Sequence, residues 1–189
     1  MLVIAKELLG KLITTNIDGR TTIGRIVETE AYAGFADRAS HAWAGKRTAR
    51  NQHMYEAAGT AYVYTCYGIH QLFNIVTNER GIPDAVLVRA VEPVAGVETM
   101  MWRTDKRIAD QSLTRGPGNV AKALGIHKIH SGMSLLGDVI YISSDEYELE
   151  DKQVGASSRI GVAYAGSDAL LPYRLFIRGN KYVSGKKIA

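Results

Sequence analysis

The stretch KLITTNIDGRTTIGRIVETEAY, residues 11–32, decides how this chain folds. Residues 11–16 are strand-like, Asp18-Gly19 is a strong hairpin-turn signal, and residues 21–32 read as the returning strand. Side chains alternate along a strand, so Ile26, Glu28, Glu30 and Tyr32 are expected on one face. Working outward, residues 2–9 predict a short helix with Gly10 as its C-cap. Residues 33–50 hold Gly, Asp, Ser and basic residues without periodicity and read as an ordered loop, followed by a short helix near 51–57 that ends at Gly59. Residues 61–67 and 72–77 are strands broken by Gly68. A turn over 78–83 leads to an alternating, β-branched strand at 85–91. Residues 94–109 look helical, and Gly116-Pro117-Gly118 opens a short helix that Gly125 closes. Strands at 139–143, 159–163 and 174–178 make the last third mostly β. No repeat, low-complexity tract or linker interrupts the chain. The expectation is one mixed α/β (α+β) domain over 1–189, around a largely antiparallel sheet with short helices.

Bulk composition narrows the class. A length of 189 residues suits one domain with a real core. A hydrophobic share of 46% and a charged share of 22% are those of an ordinary soluble protein. The net charge of +4 permits an anionic partner without demanding one. The single cysteine, Cys66, excludes an internal disulfide and a Cys-rich zinc site, and points to a reducing compartment. It lies between tyrosines in an apolar run and reads as an inert thiol. The segment MLVIAKELLGKLITT is broken by Lys6 and Glu7, so neither a signal peptide nor a membrane span is expected there. A bacterial cytoplasmic protein with no membrane partner fits.

Residues 24–74 concentrate the chemistry. They hold two carboxylates (Glu28, Glu30), five tyrosines, His41 and the cations Lys46, Arg47 and Arg50. A carboxylate, stacking aromatics and cations are what chemistry on an unstacked nucleobase requires. Glu30 beside Tyr32 offers a general base next to an aromatic wall, although an E-x-E on a strand more often marks surface residues paired with arginines, and periodicity does not choose between the two. Tyr62 and Tyr64 share a face of their strand. Tyr67 falls at a hairpin tip, where a planar ring can wedge into a base stack, although closely spaced tyrosines often mean just a packed sheet. His41, in the loop DRASHA, can form a pocket wall or a hydrogen-bonding group. Lys46, Arg47, Thr48, Arg50 and Asn51 can grip phosphates ahead of a helix, as can Gly118 and Asn119 of GPGN. A solvated basic loop is an equally good reading of the same charges. The histidines are scattered, and no metal or nucleotide cofactor is expected.

Taken in order, GRIVETEAYAGFADRASHA, RTARN, YVYTCYG with Asn74 downstream, VLVRAVEP, GPGNVAKALGI and RIGVAYAG resemble the alkyladenine (3-methyladenine) DNA glycosylases of the mammalian and Bacillus type. The resemblance covers roughly residues 2–184. It implies a single domain around a curved antiparallel sheet and an enzyme that uses no metal and no cofactor. It implies a partner in double-stranded DNA with alkylated or deaminated purines, which the enzyme flips out and excises to leave an abasic site. By resemblance Glu30 is the general base that activates a water, Arg89 helps hold that water, and the main-chain carbonyl of Ile160 is its third contact. Tyr32, His41 and Tyr64 correspond to the walls around the flipped base, and His41 and the backbone of Ala39 to the groups that read its edge. Tyr67 corresponds to the intercalating residue, and Asn74 to the side chain that disfavours guanine.

Two departures from the family pattern stand out. Many members carry a basic residue where Asn119 stands; Lys122, one turn later, is expected to replace part of that contact. Relatives also usually have further residues before the AKELLG helix, so an N-terminal element is expected to be short or absent. With no amine nucleophile in evidence, no strand cleavage is expected. A monomer is the default for one DNA-binding domain of this size, acting in the bacterial nucleoid. Two other classes compete: a non-catalytic nucleic-acid-binding module using the tyrosines as a stacking platform, and a nucleosidase for small molecules. The RTARN loop and the tyrosine at the hairpin tip favour DNA over a free nucleoside.

Overall fold

The computed structural model describes residues 1–185. Leu2–Glu7 forms α1, shorter than the helix expected, and Gly10 takes up a left-handed conformation beyond its end. Leu12–Ile17 and Arg20–Tyr32 form β1 and β2. Asp18 and Gly19 join them at φ +54 and +66. Two left-handed residues in a row match the twist of the flanking strands, which is why Asp-Gly serves here. Ala61–Cys66 (β3), His70–Val76 (β4) and Ala85–Ala95 (β5) follow, then Val97–Thr104 (α2), Pro117–Leu124 (α3), Ile140–Ser143 (β6), Val154–Ser157 (β7) and Arg174–Ile177 (β8). The strands make one eight-stranded sheet in the order β3-β4-β5-β2-β1-β6, and β8 joins β2 to β7. Every strand pairing is antiparallel. The mixed α+β architecture agrees with the sequence reading.

β2 is the spine. One edge pairs with β1 over its first half and with β8 at Glu28–Glu30, and the other edge pairs with β5. Its alternation is not uniform. Ile26 faces Val91 and Glu28 faces Ala90, so Val27 is an extra residue; next Thr29 faces Val88, so Arg89 is extra on β5. Such bulges re-aim side chains. Ile26 and Val27 therefore both enter the main core, whereas Glu28 does not. The shared face expected for Ile26, Glu28, Glu30 and Tyr32 is corrected accordingly: Ile26 is not part of it.

The main core lies on one side of the sheet. Val63, Phe73, Ile75, Val86, Val88 and Ala31 meet Val120, Ala121, Ala123 and Leu124 of α3 there. The alternate residues of the same strands, Tyr62, Tyr64, Leu72, Asn74, Leu87 and Arg89, line a cleft on the other side.

Three further expectations are corrected. Residues 159–163 are not a strand: Gly161 sits at φ +80, and Arg159 is buried in an ion pair that fixes a loop. The strand of that region is β7, which the sequence reading missed. The helix expected over 94–109 is only α2, because β5 runs on to Ala95 and Gly96 turns the chain at φ +73. Pro93 is tolerated inside β5 because the pairing with β2 slips beside it, between Ile23 and Gly24. The helix expected near 51–57 is a 3-10 turn at Gln52–Tyr55. No helix of the described residues is long and apolar enough to cross a membrane.

Candidate active site

Glu28 and Glu30 are both fully buried, so neither is the surface carboxylate that an E-x-E most often marks. Their environments differ. Glu28 Oε1 accepts from Arg89 Nε at 3.1 Å, Arg174 Nε at 2.6 Å and Ser184 Oγ at 2.8 Å, and its Oε2 accepts from the Ser184 amide at 2.6 Å. Four donors thus hold this carboxylate, three of them on Oε1. Glu30 accepts from Tyr32 Oη at 2.8 Å and from the Ile160 amide at 2.7 Å, and meets Arg89 Nη1 at 3.4 Å. These three partners all line the cleft, so Glu30 lies just beneath its floor. Burial pushes the Glu30 carboxyl above the ordinary carboxylate range, against the opposing pull of Arg89, the Ile160 amide and the Tyr32 hydroxyl. Arg89 stays firmly cationic: burial disfavours its charge, but the two carboxylates outweigh that.

The cleft holds about 1210 Å³ and has aromatic walls. Tyr62 and Tyr64 stack with centroids 5.5 Å apart, and His41 stands edge-on to Tyr64 at 4.5 Å. His41 Nδ1 and Tyr62 Oη share a hydrogen bond of 2.8 Å, which fixes the imidazole against the wall. Burial, with the nearby Arg50 cation, lowers the His41 pKa to about 4, so the ring is neutral at pH 7. Its NMR titration midpoint is expected at about 4. The unfolded imidazole binds its proton at higher pH than the folded one. Stability is therefore expected to fall as pH drops from 6.5 toward about 4, and a His41→Asn variant to lose part of that slope in thermal melts. Tyr32 and Tyr64 are both held protonated by burial. Asn74 lies at the cleft base with its Nδ2 donating to the Tyr62 carbonyl at 3.1 Å. The Ala39 amide donates to Asp37 Oδ1 at 2.9 Å, and its carbonyl accepts from Tyr164 Oη at 3.1 Å.

The rim carries Tyr67, 87% exposed at the tip of the β3–β4 hairpin. Its φ of +50, beside Gly68 at +75, turns the ring out of the sheet. Arg50 lies over the Tyr64 ring at 5.2 Å and donates to the Thr65 carbonyl, fastening the basic loop to β3. Lys46 and Arg47 are exposed. Asn51 is buried, and its amide holds the loop together: Oδ1 accepts from the Thr48 amide and hydroxyl, and Nδ2 donates to the His41 and Lys46 carbonyls. Asn51 thus shapes the loop from within, with both ends of its side-chain amide engaged. Gly118 and Asn119 line the cleft at the start of α3, with Asn119 Nδ2 donating to the Ser112 and Arg115 carbonyls. Lys122 is outside the cleft lining, and its Nζ reaches the Thr104 carbonyl. Among the described residues no three His, Cys, Asp or Glu side chains are grouped to hold a metal ion.

Sequence reasoning missed Arg159, Arg174 and Ser184. Arg159 forms a buried two-nitrogen fork on Asp37 and lies over the Tyr32 ring at 4.8 Å, which braces the cleft wall. Their partners are more than a hundred residues away in the chain, so no local pattern reveals them.

The chain matches the model of the methylpurine-DNA glycosylase family over residues 1–181. It is 40% identical to a protein of Desulfitobacterium hafniense over 98% of this chain and 94% of that one. It is 43% identical to one of Chlorobaculum tepidum over 97% and 85%, and 41% identical to one of Chlamydia felis over 96% and 92%. All three carry the provisional name 3-methyladenine DNA glycosylase.

Proposed function

The chain belongs to the methylpurine-DNA glycosylase family, and from that premise we propose that it rotates alkylated or deaminated purines out of duplex DNA and hydrolyses their N-glycosidic bond. The observation that carries this reading is the buried Glu30 carboxylate beneath an aromatic cleft with an exposed tyrosine at its rim. Tyr67 enters the base stack as the nucleotide leaves it. The base then lies among Tyr32, His41 and Tyr64. Alkylation at N3 or N7 makes a purine cationic, which both weakens the glycosidic bond and favours electron-rich walls over aliphatic ones. The C1′–N bond breaks through an oxocarbenium-like state. Glu30 stabilises that charge and takes a proton from the water arriving on the opposite face, as in an inverting glycosidase. Arg89 and the Ile160 carbonyl hold the water, and Asn74 crowds the exocyclic amine of guanine. Lys46, Arg47, Thr48, Arg50 and the start of α3 around Gly118 and Asn119 meet the phosphates. The products are a free base and an abasic site, and the enzyme acts as a monomer in the bacterial cytoplasm.

The test is single-turnover incubation with methylated duplex DNA. Base release with strand breaks only after alkali is the expected result; intact binding with no release would leave a non-catalytic binding module instead. Tyr67→Ala removes the stacking ring, worth about 1–3 kcal/mol per base. Lesion-specific affinity is expected to fall by about 5- to 150-fold, measured by competition against undamaged duplex, whose own binding changes little.

A further inference from the structure

Glu28 is fully buried and takes no part in the chemistry described above, yet it has four hydrogen-bond donors. One of them, Arg89, also faces Glu30. The guanidinium is held on two sides: its Nε donates to Glu28 at 3.1 Å, and its Nη2 donates to Ser184 Oγ at 3.2 Å. Only Nη1 remains toward Glu30, at 3.4 Å, with no hydrogen bond formed. Ser184 is itself fixed, since its amide and hydroxyl both donate to Glu28 and its carbonyl accepts from Arg174. An arginine free to turn would close a two-nitrogen fork on a neighbouring carboxylate, the geometry guanidinium groups favour. Such a fork would deepen the stabilisation of ionised Glu30 and make it a poor acceptor for a proton from water.

We propose that Glu28 and Ser184 are positioning residues of the reaction: they hold Arg89 so that it meets Glu30 through one nitrogen, which keeps Glu30 a base and makes the segment around Ser184 part of the active site. The inference rests on the reading of Glu30 as the base. The groups facing Glu30 are Glu28 and Tyr32 from β2, Arg89 from β5, Tyr64 from β3, Arg174 opposite it on β8, and Arg159 with the Ile160 amide from the loop after β7. Glu28 and Ser184 hold both Arg89 and Arg174, and of these two Arg89 is the one within ion-pair distance of Glu30.

The experiment compares wild type, Glu28→Gln, Ser184→Ala and Ser184→Thr as full-length chains. One readout is the pH profile of single-turnover excision. The other is a 13C NMR titration of the Glu30 carboxyl without DNA. In Glu28→Gln the acid limb and the NMR midpoint are expected to move down by about one unit or more, with the plateau rate about tenfold lower. Ser184→Ala is expected to move both in the same direction by less, and because it removes no charge it isolates the effect of freeing the arginine. Ser184→Thr is expected to restore them. If the midpoint stays in place in Ser184→Ala and in any folded Glu28→Gln, while rate or stability falls evenly at all pH, the two residues are structural only and the inference is wrong. Should the wild type release no base, the proposed function fails by itself, and the NMR midpoints still decide whether Glu28 and Ser184 position Arg89.

Discussion

Glu30→Gln is expected to slow excision by orders of magnitude while leaving duplex binding and folding intact. Glutamine keeps the size and an acceptor for the Ile160 amide but cannot take a proton from water. The loss expected from removing a general base is about 10²- to 10⁴-fold in single-turnover rate. Binding survives because the side chain lies beneath the cleft floor, fully buried, with Tyr32, Arg89 and Ile160 above it. The stability consequence has a definite sign. Burial raises the Glu30 pKa in the folded state, so ionising this carboxyl costs native stability as pH rises through that raised value. Burial prevails at Glu30 because the carboxylate meets Arg89 through one nitrogen, at 3.4 Å, whereas Arg89 is surrounded by two carboxylates. The amide variant is therefore expected to melt at the wild-type temperature or above at neutral pH, a trade of stability for function. The same shift places the acid limb of wild-type excision above the ordinary carboxylate range. A variant with normal excision would remove Glu30 from the role of base.

Arg159→Ala is expected to be the most destabilising of these changes. Arg159 and Asp37 are both buried, and the pair joins the loop after β7 to the loop after β2. The guanidinium also donates to the carbonyls of Ala31 and Asp168 and lies over Tyr32 and Tyr173 at 4.8 and 5.2 Å. Removing the arginine leaves Asp37 as a buried charge without its partner, at a cost of about 3–5 kcal/mol. In a domain of this size that corresponds to a melting temperature roughly 6–20 °C lower. Asp37→Asn combined with Arg159→Met is expected to be less destabilised than the sum of the single changes, because both charges then leave together. Thermal melts of the two single variants and the double decide this. An Arg159→Ala melt within a degree or so of wild type would show that the pair does not brace the cleft. Excision is expected to suffer with stability, since the next residue supplies the amide that holds Glu30.

Much of the fold was legible because its signals are local. Asp18-Gly19 marks a turn because both residues adopt positive φ there. The period-two pattern of residues 61–67 and 85–91 separates core from cleft because adjacent side chains leave a strand on opposite sides. Tyr67 before Gly68 could be read as a tip for the same reason: the chain has to reverse there. Where the pattern misled, the cause was one residue or a distant partner. Nothing in GRIVETE announces that Val27 is extra, nor in VLVRAV that Arg89 is; a bulge is settled by the register of the two strands together. RIGVAYA alternates like a strand, but Arg159 is drawn to Asp37, 122 residues earlier. Asn51 looked like one more polar residue in a basic loop until its four hydrogen bonds turned it inward.

By itself, then, the sequence determined the antiparallel hairpins, the side of the sheet that carries the tyrosines, and the residue types available to the chemistry, since all of these follow from spacing over a few positions. Tertiary structure alone decided how differently the two glutamates are held. Glu28 is held by Arg174 and Ser184, 146 and 156 residues away, while Glu30 keeps a looser set of partners at the cleft floor. The two carboxylates have the same local pattern, and only contacts made across the folded chain give them different burial partners.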